Sequence, residues 1–237
     1  MLTAPSALLL PPRRTVHRLF GRPVEVWLAR IRPRTPAASA GAAPELTAQE
    51  RDALDAIGDG LHRLQHAGGR VLARRVLGAE LGVPPRRVPL ARGAGGRPCL
   101  DPGAPGARAP YDFNISHSGP YVALAVTSGM RVGVDIEHLA ARDASAALAR
   151  RLFTPHERTL LTRPGSPRHL ARWYRIWTTR EAHAKARGAG VGGLRDPMTG
   201  HGTRWQRGHV ALAGPYTGSV VALRPGSFDP PTREVTP

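Results

Sequence analysis

The chain has 237 residues, with 34 Lys+Arg against 17 Asp+Glu, a formal charge of +17 and 41% hydrophobic residues. That length builds one large domain or two small ones around a buried core, and the apolar content excludes a chain disordered throughout. A single cysteine, Cys99, excludes an internal disulfide framework and a cysteine-built zinc site.

Residues 1–20, rich in Pro and Leu, read as an irregular lead-in. The apolar run Ala7–Leu10 stops at Pro11-Pro12 with no basic stretch before it. No later run approaches about 18 apolar residues, so neither a signal peptide nor a membrane span is expected, and the chain reads as soluble and cytoplasmic. Val24–Leu28 alternates and predicts a strand. Thr47 with Glu50 is a helix-start signature, predicting a helix to about Gln65. A second helix is expected over Gly69–Leu81, closed by Gly82. Arg86–Ala109 is a long Gly/Pro/Arg segment, longer than an idle loop usually is.

The middle of the chain is more regular. Phe113-Asn114-Ile115 and Tyr121–Val126 predict strands around a turn at Ser118-Gly119-Pro120. In Arg131–Glu137, Val132, Val134 and Ile136 take one face of a strand, and Arg131, Gly133, Asp135 and Glu137 the other. Short helices are expected over Ala144–Leu152 and from Thr154, with a break at Pro164–Pro167. The longest helix spans Arg168–Arg187 and ends at Gly188. Val210–Ala213 and Ser219–Leu223 read as a closing hairpin.

Three segments carry chemistry: Phe113–Ser118, Val132–Glu137 and Trp177–Lys185. Asp135 and Glu137 project from one strand face, an arrangement that serves a solvated strand end or, with a cation between them, a hard-metal site. Glu181 and Lys185 are one helical turn apart, on the stripe of Leu170, Trp173 and Trp177 that faces inward. A carboxylate drawn toward a core needs a partner, and Lys185 or a metal supplies it. Lys185 is also the only lysine among the 34 basic residues. Ser116 and His117 are neighbours on a strand and point to opposite faces, which argues against a Ser/His hydrolase dyad. Glu157 sits in Thr154-Pro155-His156-Glu157, a capping box that explains it without chemistry. Arg70 and Arg74, one turn apart, clasp a phosphate or solvate a helix face.

In order and spacing these segments, together with Gly96-Arg97-Pro98, closely resemble the Sfp-type 4′-phosphopantetheinyl transferases, from about Thr47 to Leu194. The resemblance implies an α+β fold, a pseudo-twofold pair of similar halves (residues 1–128 and 129–237) with the active site in the cleft between them. It implies transfer of the phosphopantetheine arm of coenzyme A to a serine of an acyl, peptidyl or polyketide carrier protein, releasing adenosine 3′,5′-bisphosphate. Carried over, Asp135, Glu137 and Glu181 hold Mg²⁺, and Lys185 offsets leaving-group charge. His117, with Ser116 beside it, contacts a phosphate oxygen. Arg97 and Arg180 stand where the family usually has lysine, and Arg63 and Arg70 where it places basic residues on the 3′-phosphate. The serine's base is Glu181 or, second, Glu157. His62 occupies a place where arginine is common. The resemblance further implies a monomer. Two rivals are a catalytically silent coenzyme A-binding regulator and, from the charge, a nucleic-acid-binding protein. The second is disfavoured by 5% aromatic content and the lack of a recognisable nucleic-acid-binding motif.

Overall fold

The structure, a computed structural model, describes residues 6–58, 60–93, 96–104, 111–141, 145–161, 166–196 and 198–226. Among them, β1 (Arg13–Leu19), β2 (Arg22–Arg30), β5 (Tyr111–Ser118) and β6 (Tyr121–Ser128) form an antiparallel sheet in the order β1-β2-β6-β5. A second antiparallel sheet has the order β7-β9-β8, from β7 (Arg131–His138), β8 (Trp205–Val210) and β9 (Tyr216–Leu223). The small hairpin β3 (Leu90–Arg92) with β4 (Pro98–Leu100) lies within the long Gly/Pro/Arg segment.

Alternation on the strands stacks these elements in four layers. Val122, Leu124, Val126 and Phe113 of the first sheet pack on α2 (Leu61–Leu81), through Ala67, Val71 and Val76. The opposite face, with Val24, Val26, Ala123 and Ala125, meets Val132, Val134, Ile136 and Val220 of the second sheet. The outer face of the second sheet is covered by α5 (Pro167–Arg187), whose Ala182 and Ala186 lie on Val221 and Leu223. The order is thus helix, sheet, sheet, helix: an α+β fold of two similar halves, each a helix laid on an antiparallel sheet. Two glycines permit the close approach of each helix. A Cβ at Gly69 would come within 2.9 Å of Ile115 Cγ2, and one at Gly133 would overlap the Ala182 carbonyl oxygen and lie 2.6 Å from Ala186 N.

Several boundaries differ from those expected. β1 lies inside the supposedly irregular lead-in: Arg-Arg-Thr-Val-His-Arg-Leu is an edge strand with only Leu19 fully buried, so it shows little apolar alternation. The helix expected from Thr47 to Gln65 is α1 (Ala48–Asp55), with its capping box formed, and it ends before Gly60 at φ +117°. α2 then runs straight through Gly68-Gly69, because helix packing rather than a break uses those glycines. The first strand of the closing hairpin is β8, upstream of Val210–Ala213; Trp-Gln-Arg-Gly-His-Val carries too few apolar residues to stand out. α3 (Ser145–Leu152), α4 (Pro155–Thr159) and the left-handed caps Gly82 and Gly188 agree with expectation. The break expected at Pro164–Pro167 falls mainly outside the described residues.

Both β5 and β7 are edge strands, and an unusual ladder joins them. Polar side chains on alternate residues of β5 accept hydrogen bonds from backbone N–H groups of β7, at a constant offset of 20 residues. Val132 N donates to Asp112 Oδ2 (2.7 Å), Val134 N to Asn114 Oδ1 (2.9 Å), Ile136 N to Ser116 Oγ (3.2 Å) and His138 N to Ser118 Oγ (2.9 Å). Side-chain acceptors thereby satisfy edge donors that a neighbouring strand would otherwise pair. The other residues of β5, Phe113, Ile115 and His117, face α2.

Candidate functional site

The ladder brings the two chemistry-bearing strands side by side, and α5 supplies the third wall. Asp135, on the α5-facing side of β7, is buried, and its Oδ1 accepts from Lys185 Nζ at 2.6 Å. Ser116 Oγ donates to the same Oδ1 at 3.1 Å while accepting from Ile136 N, and Lys185 Nζ lies 3.4 Å from Ser116 Oγ. Ser116 therefore orients Asp135 rather than standing open to a ligand. Glu137 Oε1 accepts from the indole N–H of Trp177 at 3.2 Å, and Trp177 is fixed by stacking on buried Trp173. The tryptophan stripe of α5 thus continues directly into the polar site.

Glu181 is the third carboxylate. Burial raises its pKa above the ordinary glutamate value; Asp135 and Glu137 raise it further, and Lys185 works in the opposite sense. Three acidic groups thus act around one ammonium, leaving this corner negative. In donor chemistry Asp135, Glu137 and Glu181 suit a hard divalent cation, but among the described residues their oxygens do not all lie within 4.8 Å of one another.

His117 lies on the other face of β5, near His62 and His66 of α2, with ring centroids 5.8 and 5.3 Å away. Burial first, then His66, Lys185 and His62, lower its pKa to about 4, so it is a neutral imidazole at neutral pH. Arg70 is half-buried on the same helix, and burial pushes its pKa down.

Other expected contacts are engaged elsewhere. Glu157 forms both halves of its capping box, and Arg180 binds its Oε2 through Nη2 (2.6 Å) and Nε (3.1 Å). Arg180 is itself 3% exposed and also donates to the Leu194 carbonyl, so this pair ties α4 to α5. Arg97 Nη2 donates to Asp112 Oδ2, Phe113 O and Val132 O, tying down one end of the β5–β7 ladder. Arg63 donates to Leu54 O and Asp55 at the end of α1. Arg74, half of the possible phosphate clasp, is buried on Glu50 and the carbonyls of Pro85, Arg86 and Val88. The structure therefore gathers Asp135, Glu137, Glu181, Lys185, Ser116 and, on the other face of β5, His117, and holds Glu157, Arg180, Arg97 and Arg63 in structural contacts.

Sequence reasoning missed His66 and the ordering role of the alternating Asp112, Asn114, Ser116 and Ser118. The four-residue spacing of His62 and His66 was available as a signal; the ladder was not, because its acceptors meet donors about 20 residues away. A separate cavity of about 610 Å³, lined by Glu157, Arg172, Arg175, Arg207, Ile176 and Trp205 among others, contains none of the three clustered carboxylates.

Comparison with known proteins bears on the family. Residues 131–222 match the 4′-phosphopantetheinyl transferase superfamily, and residues 48–129 match the N-terminal region of 4′-phosphopantetheinyl transferase. The chain is 34% identical over 135 residues to the 4′-phosphopantetheinyl transferase HetI of Nostoc sp., covering 57% of this chain and 56% of that protein. It is 32% identical over 182 residues to a phosphopantetheinyl transferase of Thraustochytrium sp., covering 71% and 62%. With the 4′-phosphopantetheinyl transferase AcpT of Salmonella typhimurium it shares 36% identity over 129 residues, covering 54% and 61%. The chain thus spans a little over half the length of these relatives. With two adjoining regions matched across most of its length, the chain belongs to the 4′-phosphopantetheinyl transferase superfamily.

Proposed function

We propose that this protein is a magnesium-dependent transferase that moves the phosphopantetheine arm of coenzyme A to a serine of an apo acyl, peptidyl or polyketide carrier protein. The observation that carries this reading is the convergence of Asp135, Glu137, Glu181 and Lys185 beside β5, in a chain of this superfamily. In this reading the units 1–128 and 129–237 form the two walls of the cleft, and the enzyme acts as a cytoplasmic monomer. Cys99, the only cysteine, fits a reducing compartment.

The carrier serine oxygen forms a bond to the β-phosphorus of coenzyme A as the bond to the bridging oxygen breaks, and adenosine 3′,5′-bisphosphate leaves. Such a step needs positioning and charge neutralisation more than covalent help from the protein. When bound, Mg²⁺ held by Asp135, Glu137 and Glu181 supplies positive charge to the pyrophosphate. Lys185, kept in place by Asp135, is the ammonium that offsets charge on the departing phosphate. A carboxylate oxygen of Glu181 receives the serine proton, whereas Glu157 is occupied by Arg180 and its cap. Neutral His117 and the guanidinium of Arg70 receive phosphate oxygens on the α2 side. The +17 charge favours approach of an acidic carrier.

The test is the intact mass of a panel of apo acyl, peptidyl and polyketide carriers incubated with the protein, coenzyme A and Mg²⁺. At least one carrier gains the phosphopantetheine mass, and EDTA suppresses the gain. Coenzyme A binding with no carrier modified would identify a silent regulator and overturn the transferase reading.

A further inference from the structure

The cavity lined by α4, α5 and β8 lies on a different face of α5 from the carboxylate site. Arg172, Arg175, Ile176 and Thr179 line it, spaced three and four apart, so they form one stripe of the helix. Trp177, Glu181 and Lys185 form another. Alternation on β8 puts the lining residue Arg207 on the same side of its sheet as Trp205, which clusters with Ala182 and Ala186 of α5. Ile176, Met198 and Trp205 add apolar surface.

The charge of this cavity is unbalanced. Among its described lining residues Glu157 is the one carboxylate, and Arg180 already neutralises it. Arg172 donates to the Leu160 carbonyl, a neutral partner. Among the described residues no carboxylate pairs with Arg175 or Arg207. Burial lowers the pKa of half-buried Arg207, Arg175 lowers it further, and no acidic group acts in the opposite sense. Two guanidiniums thus repel each other at a partly desolvated site, a cost that a bound anion removes.

We propose that this cavity is an anion site separate from the transferase site, taking a small phosphomonoester with an apolar or aromatic body. Arg175 and Arg207, with Arg172 beside them, hold the phosphate, and Ile176, Met198 and Trp205 receive the body. A phosphomonoester carries close to two charges at neutral pH, so it balances these guanidiniums better than a carboxylate does, and its oxygens suit their forked donors. The volume of about 610 Å³ is that of a small-molecule site and exceeds what a bare phosphate fills. The proposed transfer step uses none of these arginines.

The experiment is calorimetric titration of the full chain with naphthyl phosphate, in a phosphate-free buffer of low ionic strength without Mg²⁺, coenzyme A or carrier. One equivalent binds, and naphthol and inorganic phosphate each bind more weakly. Arg175→Gln and Arg207→Met, the latter keeping an apolar stem, each weaken binding about 10–100-fold, as loss of a hydrogen bond from a charged donor does. Arg70→Gln leaves the affinity unchanged, which separates this cavity from the phosphate contacts proposed on the α2 side. Circular dichroism verifies the fold of each variant. Without ligand, Arg207→Met unfolds at a urea concentration no lower than the parent chain, since it removes a repelled cation. Absence of binding, naphthol binding as tightly as its phosphate, or parent-like affinity in either cavity variant overturns the site. So does weakening by Arg70→Gln, or a lower urea midpoint in Arg207→Met. No transfer is measured, so failure here leaves the transferase reading untouched.

Discussion

Lys185 and Glu157 show how differently two charged residues with plausible catalytic roles can be used. The Lys185 ammonium lies 2.6 Å from buried Asp135, at the edge of the acidic cluster, where in the proposed reaction its remaining donors meet a ligand. Asp135→Ala and Glu181→Ala are expected to abolish carrier modification, and Lys185→Ala to remove most of it, in the intact-mass assay. Wild-type turnover in either carboxylate variant would refute the metal assignment. Glu157 follows the opposite logic. Its carboxylate closes a capping box and pairs with an arginine that is almost completely enclosed. Removing one partner of such a pair costs about 3–5 kcal/mol. Glu157→Ala therefore lowers the midpoint of urea unfolding while folded protein keeps its transfer rate at saturating substrate. A lost rate without lost stability would restore Glu157 as the base.

Among elements, the crossing of α5 over β7 sets the geometry of the site. Glu181 and Lys185 come from α5, Asp135 and Glu137 from β7, and their separation depends on the helix lying against Gly133. Gly133→Ala puts a methyl group into the Ala182 carbonyl, and overpacking of this kind typically costs about 1–3 kcal/mol. The expected outcome is reduced stability by chemical denaturation together with reduced transfer, since α5 must shift away from Asp135. Unaltered activity would show that the site tolerates a displaced helix. The strand parity of β7 and the Glu181–Lys185 spacing were legible in the sequence, because both follow from local periodicity. The uninterrupted course of α2 through Gly68-Gly69 was not: a glycine pair reads locally as a break, and only a sheet pressed against the helix turns it into a contact surface. β1 and β8 escaped for a related reason, as each is an edge strand with few apolar residues.

For the whole molecule, the two sheets meet not only through their shared core but also where β1 adjoins β8. Phe20 N donates to Gln206 Oε1 at 2.6 Å, and His17 packs on Gly208. Burial, with His209 adding to it, lowers the His17 pKa, so the folded chain holds this imidazole neutral. The unfolded chain protonates it near the ordinary value of about 6.5. As pH falls below that value the unfolded state binds the extra proton and stability declines; above it the contribution is complete. Urea unfolding at pH 7.5 and 5.5 is expected to show lower stability at the acidic pH, with a smaller difference in His17→Gln. An identical pH difference in the variant would remove His17 from this account. The same scale bears on the +17 charge: Arg63, Arg74, Arg97 and Arg180 are engaged with protein carboxylates or carbonyls, so part of the arginine excess holds the fold rather than awaiting a polyanion.

By itself the sequence determined most of the main elements, the shared face of Asp135 and Glu137, and the placing of Glu181 and Lys185 one turn apart on α5, since each arises within a few residues of backbone. That Lys185 takes Asp135 as its partner was decided by the fold, and the α+β class came with the family resemblance. The sequence also carried the family, through three motifs whose order and spacing are linear properties. Tertiary structure alone decided which cations remain available to a ligand. Arg97, Arg180, Glu157 and Ser116 look alike in sequence whether they face solvent or a buried partner, and their partners lie on other elements. The histidine cluster depends on the same fact: His117 joins His62 and His66 only because β5 packs on α2. Hydrogen bonding and burial act through space, and the fold sets which distant groups come within 3 Å.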